Sequence, residues 1–108
     1  MNIDFNSLET PCYIVDEKLL RKNLETLKYV QDKTGAKILL ATKAFSMFST
    51  FNIVGEYLKG VTSSSLFEAR LGYEEMGKEV HIYVPAYMDK DFDEILKYSD
   101  HIVFNNFN

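Results

Sequence analysis

Four short apolar runs, separated by helical patterns of similar length, constrain this chain more than any other feature. The runs begin near Ile38, Val61, Val80 and Ile102, about 20 residues apart, and each interval holds one helical pattern. Strands alternating with helices in this way predict a parallel sheet with right-handed crossovers. A further unit precedes them. After a polar lead-in through Thr10, Pro11 opens a strand-like run over residues 12–15. Asp16 stands where a helix N-cap belongs. Leu20, Leu24, Leu27 and Val30 then recur on one helical face, and Gly35 suits the left-handed position that ends a helix.

The later units follow the same grammar. Ile53, Val54, Tyr57 and Leu58 give a short helical face closed by Gly60. Residues 61–63 predict the next strand. Ser65-Leu66-Phe67-Glu68 has capping-box spacing and opens a helix carrying Leu66, Ala69 and Met76, which stops at Gly77. Residues 80–84 form a strand ended by Pro85. Phe92, Ile95 and Leu96 mark a further helix, and residues 101–104 the last strand.

Four parallel strands are half of an eight-stranded barrel, which in full takes about 250 residues. An open doubly wound sheet is the rival, but it would place a Gly-rich phosphate loop after its first strand. Here that place reads Ala44-Phe45-Ser46-Met47. The expected fold is therefore α/β, the N-terminal half of a (β/α)8 TIM barrel. Residues 1–108 would be one partial domain, with no internal boundary.

Composition narrows the partners. A net charge of -4 argues against a nucleic-acid surface or a polybasic membrane patch. No apolar run reaches the roughly 20 residues of a membrane span, and the first residues lack the regions of a signal peptide. The single cysteine, Cys12, cannot form an internal disulfide and reads as a small buried hydrophobe. A cytoplasmic setting is expected. The spacing of His and Cys gives no metal signature, and no metal is expected.

Lys43 is the residue most suggestive of chemistry. Ile38 to Ala41 are apolar without alternation, as in a strand covered on both faces. Lys43 follows at the C-terminal end, where barrels keep their active sites. Such a lysine either snorkels into solvent or serves as an amine nucleophile with a lowered pKa. Glu68 is open in the same way: a capping acid favoured by the helix dipole, or a pocket carboxylate. Ser63, Ser64 and Ser65 lie at the next strand end and could line a pocket, with Ser65 the natural helix cap. His81 and His101 sit at strand starts and read as packing or solvated residues. Tyr83 and Pro85 lie near a strand's C-terminal end, and Arg70 suits a surface ion pair.

Three phrases carry a resemblance: Ala41-Thr42-Lys43-Ala44-Phe45-Ser46, then Ser64-Ser65-Leu66-Phe67-Glu68-Ala69-Arg70-Leu71-Gly72, then Tyr83-Val84-Pro85-Ala86-Tyr87. In this order, behind Tyr13-Ile14-Val15-Asp16, the chain resembles the N-terminal part of the pyridoxal-phosphate barrel enzymes. This is the alanine racemase-like group that includes ornithine and diaminopimelate decarboxylases. Within it the likeness is strongest to decarboxylases of carboxylated polyamines. The resemblance implies pyridoxal 5'-phosphate as cofactor, Lys43 as its Schiff-base lysine, and Glu68 and Ser64 near the cofactor. It implies a small polyamine carboxylate as substrate and a homodimeric parent. The phosphate loop, the acid at the pyridine nitrogen, the other half-barrel and a C-terminal β domain would then follow Asn108, and a piece of this length would be inactive alone. Thr62 departs from the pattern, since ornithine enzymes carry an aspartate there. A non-catalytic pyridoxal-phosphate-binding barrel protein of the homeostasis type shares the strand-end lysine and is the alternative. A diaminopimelate- or ornithine-type decarboxylase is another.

Overall fold

The structure is a computed structural model, and it describes residues 3–106. Helix α1 spans Glu17–Thr34. The Asp16 carboxylate accepts the Leu19 N–H at 3.1 Å and so occupies one of the helix's unpaired donors. Gly35 ends it at φ 73°, in a conformation that a side chain would strain. The units that follow are β1 (Leu39–Ala41), α2 (Phe51–Tyr57), β2 (Gly60–Ser63), α3 (Leu66–Glu75), β3 (Glu79–Tyr83), α4 (Asp89–Tyr98) and β4 (His101–Val103). All four strands are parallel and lie side by side in chain order. This is the βα repeat that the spacing predicts.

Alternation along the strands divides the sheet into two faces. Leu40, Val61, Val80, Ile82 and Ile102 turn toward the helices. There they share one core with Leu24, Val54, Leu58, Ala69, Ile95 and Tyr98. Gly72 of α3 lets this layer close, because a Cβ there would sit 2.2 Å from Val61 Cγ2. The register pairs Ala41 with Thr62, Thr62 with His81, and His81 with His101 on the opposite face. In a complete barrel that face would line the interior.

One buried polar residue fixes where β1 begins. Gln31 of α1 donates from Nε2 to the Tyr57 carbonyl at 2.8 Å, and its Oε1 accepts the Ile38 N–H at 2.8 Å. The end of α2 and the start of β1 are thus tied to the same side chain. Satisfied on both sides, it escapes the penalty of an unpaired buried amide.

Several sequence expectations need correction. Residues 11–15 form no strand, and Tyr13 is 94% exposed. β-propensity acts only where a neighbour supplies a ladder, and β1 pairs with β2 alone among the described residues. Cys12 is exposed rather than buried for the same reason: the segment carrying it joins no core. β1 is half-buried, not covered on both faces, because it is an edge strand here. Gly60 opens β2 instead of closing α2. A Cβ at Gly60 would lie 1.9 Å from the Glu79 carbonyl oxygen, so the close approach of β2 and β3 requires glycine.

Candidate active site

The C-terminal ends of the strands are joined by a small set of polar side chains. Ser65 caps α3, its hydroxyl accepting the Glu68 N–H at 3.2 Å. In a reciprocal capping box the Glu68 carboxylate would return to Ser65 N–H. Instead Glu68 Oε2 accepts the Ser64 N–H at 2.6 Å and the Thr42 hydroxyl at 2.9 Å. Thr42 also donates its own N–H to the Thr62 carbonyl at 3.2 Å. One carboxylate therefore holds together the turn after β1, the end of β2 and the first turn of α3. Its partners are all uncharged.

Lys43 follows Thr42 directly, in the turn that leaves β1. The turn is closed by the Ala44 and Phe45 N–H groups, both donating to the Ala41 carbonyl. The Lys43 side chain is exposed, and among the described residues its ammonium takes part in no hydrogen bond or ion pair. This exposure is compatible with both readings open from the sequence. An accessible, unpaired primary amine is also what an incoming aldehyde requires.

The remaining candidates separate. Ser64 supplies a backbone donor to Glu68 and lines a cavity of about 290 Å³ with Val84, Ala86 and Tyr87. Ser63 is 2% exposed, and its hydroxyl has no hydrogen-bond partner among the described residues. Arg70 bonds Glu74 at 2.8 Å, the surface ion pair expected of it, and that partner raises its pKa. Tyr83 is exposed near the end of β3.

Two residues at this edge carry more than the sequence suggested. Thr42, 1% exposed, is the link from β1 to Glu68. Tyr87 gathers the ends of β3 and β4: its hydroxyl lies 2.8 Å from the Val103 carbonyl and 3.2 Å from that of Ile82, and it accepts the Val84 N–H at 3.2 Å. Asn105 adds a bond to the Pro85 carbonyl at 3.2 Å. Both Thr42 and Tyr87 lie inside the phrases that carry the resemblance. That was the available signal, although periodicity alone gave neither a role.

Comparisons with known proteins show what the whole segment is similar to. Over 102 residues the chain is 49% identical to a carboxynorspermidine/carboxyspermidine decarboxylase of Campylobacter jejuni, a match covering 94% of this chain. A crystal structure of carboxynorspermidine decarboxylase from the same organism, complexed with norspermidine, matches with a TM-score of 0.89. It is 50% identical and covers 92% of this chain. The chain is homologous to these decarboxylases. A carboxynorspermidine/carboxyspermidine decarboxylase of Herminiimonas arsenicoxydans is 40% identical over 99 residues. A carboxyaminopropylagmatine decarboxylase of Synechocystis is 40% identical over 105. The chain spans about 27% of the length of each of these relatives. That share suits part of a barrel. No protein-family model matches the sequence. Among the described residues, no helix is long and apolar enough to cross a membrane.

Proposed function

We propose that this chain is the N-terminal part of a pyridoxal-phosphate-dependent decarboxylase, one that converts carboxynorspermidine or carboxyspermidine to norspermidine or spermidine. The observation that carries the reading is the match to named decarboxylases at 40 to 49% identity across almost the whole chain. The complete enzyme works as a homodimer on this reading.

The donor set fits the cofactor in one respect that the structure itself supplies. Among the described residues a primary amine stands unpaired at the sheet's C-terminal edge, and the neighbouring carboxylate is occupied by neutral donors. When bound, pyridoxal phosphate supplies an electron sink for the pair left by departing CO₂. Lys43 is the residue that would hold it, through the ε-amine. Glu68 accepts the hydroxyl of Thr42, the residue before that lysine, and the backbone N–H of Ser64 beyond β2, and so limits the turn's freedom to wander. Ser64 brings a further hydroxyl to the end of β2. The side chains that would cradle the phosphate and the ring nitrogen belong, on this reading, to the remainder of the enzyme.

The test is CO₂ release by the complete enzyme carrying this segment, offered carboxynorspermidine, carboxyspermidine, diaminopimelate and ornithine in turn. Release from the two carboxylated polyamines is the expected result. Release from only the latter two would replace the substrate assignment. Cofactor binding with no release from any substrate would mark a non-catalytic barrel protein instead.

A further inference from the structure

The opposite end of the sheet carries a second polar cluster, on the face turned away from the helices. β3 contributes Glu79 and His81, two residues apart and so on the same side of the strand. β4 contributes His101, which the register places beside His81. His81 Nε2 lies 3.2 Å from Glu79 Oε2, and His101 Nε2 lies 4.0 Å from the same oxygen. The two imidazole rings have centroids 4.2 Å apart. One ligand atom from each of the three side chains falls within 4.8 Å of the other two.

These distances are close to those of a metal site. Ligands bound to zinc at about 2.0–2.1 Å in a tetrahedron stand about 3.4 Å from one another. The Glu79–His81 edge is already that short. The His101–Glu79 edge is longer by about half an ångström on that scale and the His81–His101 edge is within 4.8 Å, so His101 must close in; it sits at the start of β4, where its side chain is 56% exposed. Glu79 and His81 are half-buried, which limits their rotamers.

The charge pattern points the same way. The Lys37 ammonium pairs with Glu79 Oε1, so a cation already rests at this carboxylate. Lys37 is 56% exposed on a flexible stem, and a divalent ion can displace it into solvent.

We propose that Glu79, His81 and His101 form a binding site for a divalent first-row transition-metal ion, with zinc the natural occupant. Two imidazoles and one carboxylate suit borderline ions of this class rather than calcium or magnesium, which prefer all-oxygen shells. The linear sequence shows no such motif because its ligands come from neighbouring strands and meet only through the parallel register.

His81 and His101 are the two histidines of this chain, and both belong to the cluster. Zinc is titrated into the complete enzyme carrying this segment while the ring resonances of His81 and His101, assigned by their loss in His81→Asn and His101→Asn, are followed by NMR, with magnesium as control. Both histidines should shift together and saturate at one ion per chain, and magnesium should leave them unmoved. Movement of one histidine only, or of neither, overturns the site. The same titration on His101→Asn, a change at an exposed side chain, should weaken zinc binding by more than the roughly 10- to 100-fold that loss of an outer partner costs. Binding as tight as in the parent chain overturns the site as well.

Discussion

Two lysines flank the same short strand, and the sheet treats them in opposite ways. Lys37 precedes β1 and is paired with the Glu79 carboxylate. Lys43 follows β1 and has no partner among the described residues, although a carboxylate stands one residue's reach away at Thr42. The difference lies in what each acid is given. Glu79 faces a cation and an imidazole. Glu68 faces a backbone N–H and a hydroxyl, which satisfy it without adding charge. At the N-terminal edge the charges neutralise one another. At the C-terminal edge the carboxylate fastens the backbone and leaves the amine available. A charged residue is therefore not informative by its presence at a strand end. What its neighbours already hold decides its use.

The comparison can be broken most severely at Gly60. A methyl group there meets the Glu79 carbonyl oxygen, so Gly60→Ala must part β2 from β3 at the paired edge. We expect a loss of at least about 1–3 kcal/mol on the scale of overpacked sites, read as a lower urea midpoint. The histidine ring resonances should move as well, since His81 lies on β3. An unchanged midpoint would mean that the strands approach less closely than described.

Removing Glu68 should have the next largest effect, and at the other edge. Glu68→Ala leaves the Thr42 hydroxyl and the Ser64 N–H without their acceptor, at a cost of about 1–3 kcal/mol. Glu68→Gln keeps an acceptor oxygen and should cost less. Equal losses from the two substitutions, measured by urea unfolding, would show that the charge matters more than the bonds.

The smallest effect belongs to the paired edge and depends on pH. Glu79's carboxyl is held low first by the hydrogen bond from Lys37 and then by that from His81. A depressed carboxyl stabilises the fold above its unfolded pKa, and that contribution is lost as pH falls through the lower folded value. Glu79→Gln should therefore be less stable than the parent at neutral pH, and the gap should close in acid, below the ordinary glutamate range. Added salt should shrink the gap at neutral pH, because the pair is exposed. A gap that widens in acid would reverse the sign.

Much of the fold was legible because helices and strands announce themselves through burial. Leu24, Val54, Ala69 and Ile95, one from the apolar face read for each helix, occupy the observed core. Asp16, Gly35 and Ser65 mark helix ends through local chemistry that needs no partner strand. Residues 11–15 misled for the complementary reason: their strand-like composition has no ladder to join. Lys43 was legible as a candidate from its place after an apolar run. Its freedom was not, because it depends on Glu68 being drawn to Thr42, 26 residues away. His81 and His101 were each read as ordinary strand-start residues. Only the β3–β4 register makes them neighbours, and register between strands joined by a helix leaves little local trace.

The central claim is that Lys43, and not Lys37, is the amine available to a carbonyl. Borohydride reduction of the cofactor-loaded complete enzyme, followed by peptide mapping, tests it most directly. The modified residue should be Lys43, with Lys37 unlabelled and the labelling lost in Lys43→Ala. Label on Lys37, or undiminished label in Lys43→Ala, would contradict the account.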